Sequence, residues 1–331
     1  MREIEIGKNE CSQRLDKWIF KYLNKAGSGF VYKMLRKKNI TLNGKKATGR
    51  EKLQLGDKVY FFLAEETIEK FRQVKENRIA CDYQPEILFE DADILFANKP
   101  AGMLSQKAEQ SDISINEALL SYVGFHGRQE SFTPGICNRL DRNTSGIIAF
   151  GKSLFGLQTL SRLFHDRTID KYYYTIVKGR MTEEETIEGY LHKDKKKNQV
   201  SITKTPLKGE QGKEYVPICT KYKPCRATAE ATLLKVKLIT GKPHQIRAHL
   251  ASTGHPILGD YKYGDKKWND IYEKQFGLRY QLLHAAILSF PAMEEEKKLP
   301  AQWYGLKITA PLPPLFEKIS QEMFGNYGNL E

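Results

Sequence analysis

From about residue 85 onward, apolar runs with strand character outnumber helical ones and often follow one another with no helix between. Such runs occur at Ile87–Glu90, Ile94–Asn98, Ile147–Phe150, Tyr172–Val177, Ala229–Thr240 and Leu282–Phe290. Helical periodicity is confined to Leu154–Phe164, Pro243–Ser252 and Pro314–Met323. A doubly wound sheet needs a crossover helix after nearly every strand, so this order predicts a mixed or antiparallel sheet instead. The amino-terminal part follows a different pattern. Leu15, Trp18, Ile19, Tyr22 and Leu23 recur at helical spacing, Gly27-Ser28-Gly29 interrupts them, and a second helix follows in Phe30–Lys38. Next come a strand at Ile40–Leu42, an Asn43-Gly44 hairpin turn and a last strand after Leu55-Gly56-Asp57. The chain is therefore expected to be α+β. A small αα-turn-β domain spans 12–63, a charged linker 64–84, and a mixed or antiparallel-sheet domain 85–325. The Lys-rich stretch His192–Lys213 is expected to be an exposed loop, and no internal repeat is visible.

With 331 residues of which 40% are hydrophobic, the chain can bury a core in each of about two domains. No run approaches the roughly 18 apolar residues that span a bilayer, and the start lacks a signal-like apolar region. Five cysteines without a CxxC pair argue against a disulfide framework or a zinc knuckle. These features predict a cytoplasmic protein with no membrane partner. Net charge is +13, and residues 1–80 alone carry 19 Lys+Arg against 10 Asp+Glu. A basic module on a nearly balanced body suggests a polyanion partner, although a cationic surface can also serve solubility alone. Arg36, Lys37, Lys38, Lys45 and Lys46 gather around the second helix end and the hairpin, where they could contact phosphates.

The most chemically suggestive segment is Cys137-Asn138-Arg139-Leu140-Asp141-Arg142-Asn143-Thr144-Ser145-Gly146. It sets one carboxylate between two arginines, which favour its ionised form, and a turn that could present it at the mouth of a sheet. By itself the segment also reads as an Asx-type turn with a surface ion pair. Lys171–Gly179 reads as a strand with Lys171, Tyr173 and Thr175 on one face and Tyr172 and Tyr174 on the other. A tyrosine on such a strand either fills the core or stacks on a nucleobase. Thr240–Leu250 joins a strand end, a glycine turn and a helix whose first turn suits Pro243, with Arg247 on that helix. His244 and His249 are five apart without an HExxH pattern, so no metal is expected. His284 sits in an apolar strand and is expected to be a satisfied core histidine. Neither GxGxxG nor a phosphate loop follows a strand, so no cofactor is expected.

Two resemblances carry these segments further. Arg14-Leu15-Asp16, Ser28, Val31–Lys38, Ile40–Lys45 and Gly56-Asp57 resemble the small RNA-binding domain named after ribosomal protein S-four. Five ordered segments of the larger part resemble the RluA-type pseudouridine synthases. These are Arg139-Leu140-Asp141 with Thr144-Ser145-Gly146, Lys171-Tyr172-Tyr173, Thr240–His249, Gly254-His255-Pro256-Ile257-Leu258-Gly259-Asp260, and Leu283-His284-Ala285, with Lys99-Pro100-Ala101-Gly102 ahead of them. Asn138 departs from the family's usual His, and Lys242 from the commoner Arg, which loses a bidentate fork. The resemblance implies that Asp141 attacks the ribose or stabilises charge there, that Arg247 pairs with it, and that Tyr173 stacks on the uracil and moves a proton. It implies RNA contacts at Arg139, Arg142, Lys242 and His244. The S-four-like domain adds Arg14, Arg36, Lys37, Lys38 and Lys45. The expected substrate is large-subunit rRNA, free or in an assembling ribosomal particle, met by a monomer. The same chemistry on tRNA or another RNA, or a non-catalytic role in ribosome assembly, would be the alternatives.

Overall fold

The computed structural model describes residues 1–72, 81–109, 111–125, 132–194, 199–205, 215–293 and 299–325. At the amino terminus lie β1 (Arg2–Glu5), α1 (Leu15–Tyr22), α2 (Ser28–Arg36), β2 (Ile40–Leu42), β3 (Lys45–Lys46), β4 (Lys58–Phe61) and α3 (Glu65–Phe71). Their four strands form an antiparallel sheet in the order β1-β4-β2-β3. Leu15, Trp18, Ile19 and Tyr22 occupy i, i+3, i+4 and i+7 of α1, so one stripe is buried against Val31 and Leu35 of α2 and Val59 and Phe61 of β4. Asn43 and Gly44 both take positive φ, as a two-residue hairpin turn requires.

Two elements here were not legible in the sequence. The described part of the 64–84 linker is not structureless: α3 buries Ile68 completely in this first core, with Phe71 packed beside it. Its charged residues mask one apolar stripe of only two positions, too short for a periodic signal. Residues 73–80 lie outside the described residues. β1 was not foreseen, because four residues alternating between charge and Ile carry little strand signal until β4 pairs with them.

The larger body contains β5 (Glu86–Glu90), β6 (Ile94–Lys99), α4 (Ile115–Tyr122), β7 (Gly135–Ile136), β8 (Ser145–Gly151) and α5 (Leu154–His165). It continues through β9 (Asp170–Lys178), β10 (Glu185–Asp194), β11 (Gln199–Thr203), β12 (Tyr215–Ala227) and β13 (Ala231–Leu238). Last come α6 (Gln245–Ser252), α7 (Lys266–Phe276), β14 (Leu283–Ser289), β15 (Lys307–Thr309) and α8 (Pro314–Phe324). One sheet of eleven strands runs β11-β10-β12-β13-β9-β14-β8-β6-β5, with β15 added to β14 and β7 to β8. All described pairings are antiparallel except β14 with β8, so the sheet is mixed, as the strand order predicted. The expected His192–Lys213 loop is part strand, for β11 pairs with β10 along the sheet edge. An edge strand facing solvent tolerates the lysines and polar residues that suggested a loop. Residues 195–198 and 206–213 of that stretch lie outside the described residues.

The parallel pair fixes the architecture beneath the functional loop. Gly146 of β8 is level with Ala285 of β14, which is level with Tyr173 of β9. Gly146 has φ +115°, and a Cβ there would lie 2.2 Å from the Ala285 carbonyl oxygen. Glycine is thus required twice over, by conformation and by contact. Gly146→Ala is expected to cost about 2–4 kcal/mol, combining strain and overpacking, as measured by urea unfolding. His284 is fully buried, with Nδ1 2.9 Å from Ser145 Oγ and Nε2 3.3 Å from the Ala310 carbonyl. The carbonyl can only accept, so Nε2 carries the proton and Ser145 donates to Nδ1. Burial pushes its pKa down to about 4, so this is the satisfied core histidine that was expected.

Candidate active site

Asp141 sits just before β8, on a loop held from both sides. Ser105 Oγ donates to the Leu140 carbonyl at 2.8 Å and accepts from the Leu140 N–H at 3.0 Å. On the other side, the Arg142 carbonyl accepts from the Gly102 N–H at 2.9 Å and from Lys99 Nζ at 3.0 Å. Thr144 N–H donates to the Asp141 carbonyl at 3.1 Å. Asn138 acts as a backbone substitute, its side chain donating to the Ile147 carbonyl at 3.1 Å and accepting from the Ala149 N–H at 2.8 Å. The carboxylate therefore projects from a backbone that has little freedom, with a quarter of its side chain exposed.

The cation that meets Asp141 comes from α6, not from its chain neighbours. Arg247 Nη1 lies 2.9 Å from Asp141 Oδ2. The same guanidinium is gripped by Asp260, through Nε to Oδ2 at 2.7 Å and Nη2 to Oδ1 at 2.9 Å. Asp260 Oδ1 also accepts from the N–H groups of Lys262 and Tyr263. Burial works against the charged form of Arg247, but Asp260 and then Asp141 outweigh it and push its pKa up. Arg139 and Arg142, by contrast, are exposed, and Arg142 reaches Asp112 at 3.8 Å.

The start of α6 explains how Arg247 is aimed. Gln245 Oε1 accepts from Thr240 Oγ1 at 2.9 Å and from the Lys242 N–H at 3.1 Å. Its Nε2 donates to the Cys219 carbonyl and Thr220 Oγ1, both at 3.0 Å. His244 caps the helix at φ +55°, with Nδ1 2.8 Å from the Tyr263 hydroxyl. Pro243 consequently lies before the helix and not in its first turn. Burial lowers the His244 pKa; Asp141 opposes this, while Arg247 and Lys262 add to it. His249 turns instead to Thr220 Oγ1 at 3.0 Å, so the two histidines serve different partners.

Tyr173 is 7% exposed on β9, between Val236 of β13 and Ala285 of β14. Burial, and then the charge of Asp141, push its pKa up, so it is a neutral phenol near pH 7. Asp141, Tyr173, Arg247, Arg139, Lys242 and His244 all line one cleft of about 900 Å³. Arg142 does not line it. Nor do the five amino-terminal candidates: Arg36, Lys37, Lys38 and Lys45 are exposed on their own module, and Arg14 is occupied by Asp16. Asp16 is 1% exposed; desolvation opposes its charge, but hydrogen bonds from Arg14, Tyr32 and the Lys17 N–H hold its pKa low. Arg14 is thus a structural partner of a buried carboxylate.

A family model described as RNA pseudouridylate synthase matches residues 93–252, the stretch that carries Asp141, Tyr173 and Arg247. A Vibrio cholerae protein named ribosomal large subunit pseudouridine synthase C is 32% identical, over 97% of this chain and 96% of that protein. The chain belongs to the RNA pseudouridylate synthase family. A Pasteurella multocida protein of the same name is 30% identical over 96% of this chain and 93% of its own. The solved structure of human RNA pseudouridylate synthase domain containing 4 shares the fold. Its TM-score is 0.55 at 23% identity, covering 70% of this chain and 90% of that one.

Two residues that brace the candidate site escaped sequence reasoning. Asp260 read as part of a rigid turn, since no spacing rule ties it to Arg247 thirteen residues earlier. The signal was present only as a carboxylate following Gly259 in a run of turn residues. Lys99 was noticed only within a motif. It is fully buried, and its Nζ donates to the carbonyls of Pro100, Met103 and Arg142 at 2.9, 2.8 and 3.0 Å. Its three donors thus tie the strap after β6 to the residue following Asp141. A lysine at the end of a strand that opens with four apolar residues was the available clue.

Burial pushes the Lys99 pKa down from 10.5 to about 7, with the Asp141 charge opposing. Between those values the unfolded chain holds a proton that the folded chain releases. Stability from this group therefore rises with pH from about 7 to 10.5 and is flat below. Relative to Lys99→Met, the wild-type synthase should gain on the order of 2–3 kcal/mol between about pH 7 and 9.5. Parallel pH dependences in urea unfolding would contradict this.

Proposed function

We propose that this synthase converts specific uridines of large-subunit rRNA to pseudouridine, with Asp141 as the catalytic carboxylate. The observation that carries the reading is the Asp141–Arg247 ion pair, set in a cleft beside Tyr173 and braced by Asp260. The isomerisation breaks the bond between uracil N1 and ribose C1′, turns the base and joins C5 to C1′. The proton on C5 leaves and N1 gains one, so atoms balance without any cofactor. Asp141 attacks C1′ or stabilises the positive charge developing there, as carboxylates do in glycoside cleavage. A free Asp already ionises near pH 3.9, so Arg247 acts chiefly to offset desolvation when RNA closes the cleft. Tyr173 stacks on the uracil, and its phenol relays a proton in the final step.

The target uridine must leave its helix to reach Asp141. Arg139, Lys242 and His244 line the cleft and hold the flipped strand, with Arg142 at its margin. The amino-terminal module, extended by α3, anchors structured RNA through Arg36, Lys37, Lys38 and Lys45. The large-subunit target rests on the relatives' names and on that module. We place the protein in the cytoplasm as a monomer, since one chain supplies every group named.

The test incubates unmodified large-subunit rRNA and tRNA transcripts with the protein and maps pseudouridine by carbodiimide-dependent reverse-transcription stops. New stops in large-subunit rRNA alone are expected. Stops confined to tRNA would overturn the target, and stops in neither would point to an assembling particle or a non-catalytic role.

A further inference from the structure

Two cations on the β9 side of the cleft make no side-chain hydrogen bond or ion pair among the described residues. Lys171 is on the same strand face as Tyr173, two residues before it and so about 6.6 Å away along β9, and both line the cleft. Its neighbour Asp170 is engaged elsewhere, by Lys237 Nζ at 2.6 Å and the Tyr172 hydroxyl at 3.2 Å. Arg167, exposed at the same cleft, stands in the turn from α5 to β9 at φ +61°. Thr168 holds that turn, donating to the Leu163 carbonyl from its N–H at 3.0 Å and its hydroxyl at 3.2 Å. A non-glycine residue in this conformation costs about 1 kcal/mol or more. Among the described residues neither Lys171 nor Arg167 has a hydrogen bond or ion pair of its side chain. Burial makes Lys171 a poorer home for a proton, and the Arg167 charge adds to this. Asp170, itself paired with Lys237, is the one group acting in favour of the Lys171 charge; with Lys171 largely desolvated and Arg167 exposed beside it, an anion between the two would relieve the repulsion.

We propose that Lys171 and Arg167 form a phosphodiester subsite that holds the backbone phosphate adjacent to the flipped-out uridine. The offset from Tyr173 matches the span from a stacked base to a phosphate of its own nucleotide. The other cations of the cleft, Arg139 and Lys242, make a polyanion the fitting ligand. The inference rests on the reading of the Asp141 cleft as the active site. The subsite would turn the flipped nucleotide so that C1′, not the phosphate, faces Asp141.

The test uses RNA oligonucleotides spanning a mapped target uridine, made with an uncharged methylphosphonate at the linkage 5′ or 3′ of it. Wild type, Lys171→Gln and Arg167→Gln are assayed for kcat, KM and salt-dependent affinity. Lys171→Gln is expected to raise KM about tenfold with little change in kcat. It should also reduce the slope of log affinity against log salt by about one. Wild type should lose a similar factor on one of the two methylphosphonates, and Lys171→Gln should lose nothing further on it. Additive losses, or equal activity of wild type on all three RNAs, would overturn the subsite. Arg167→Gln, on an exposed turn, should lower the salt slope likewise even where Lys171→Gln disturbs β9, and an unchanged slope would overturn its share. Failure of the active-site reading would register differently, as turnover surviving in Asp141→Ala, whatever the salt slopes.

Discussion

Replacing Asp141 by asparagine is expected to lower single-turnover pseudouridine formation by roughly four orders of magnitude or more, with RNA affinity nearly unchanged. The substitution is close to isosteric and retains a partner for Arg247 Nη1, which already has Asp260 as its main counter-ion. The loop around residue 141 is held by backbone contacts through Ser105, Gly102 and Lys99, none of which needs the carboxylate. What disappears is the negative charge at C1′, on which both attack and charge stabilisation depend. A variant that folds and binds normally yet does not turn over separates the enzyme from an assembly factor that only binds RNA.

The second large effect falls on stability. Asp260 is 1% exposed and gives both carboxylate oxygens to Arg247, itself 8% exposed. Removing one partner of such a buried pair leaves the other charge poorly compensated. Asp260→Ala is therefore expected to lose about 3–5 kcal/mol in urea unfolding. It also frees Arg247 to swing, so kcat should fall together with stability. Asp260→Asn still accepts from the Lys262 and Tyr263 N–H groups but cannot neutralise the guanidinium, and should lie between alanine and wild type. If Asp260→Ala were as stable as wild type, Asp141 alone would suffice to hold Arg247, and the brace would have no role.

Legibility followed the range of the interactions. Strand order and hairpin turns are local, so the mixed sheet and the α1–α2 stripe could be read directly from residue spacing. Asp141, Tyr173 and Arg247 could be picked out as candidates because their motifs are contiguous, and the fold brings all three to one cleft. The nearest arginines in sequence misled: Arg139 and Arg142 flank Asp141 but neither pairs with it, and its partner comes from 106 residues away. Asp260 and Lys99 were missed for the same reason, since each matters through contacts that only the closed sheet brings together. The short helix α3 and the edge strands β1 and β11 lacked enough apolar positions to signal themselves. Their partners in the fold decide their structure.

The most direct measurement is release of tritium from RNA carrying uridine labelled at C5, with wild type and Asp141→Asn at saturating enzyme. Label leaves only when C5 becomes bonded to C1′. Wild type should release it from the target uridines within one turnover, while Asp141→Asn releases none though it binds the same RNA. Release by both proteins at comparable rates would contradict the assignment of Asp141 as the catalytic carboxylate.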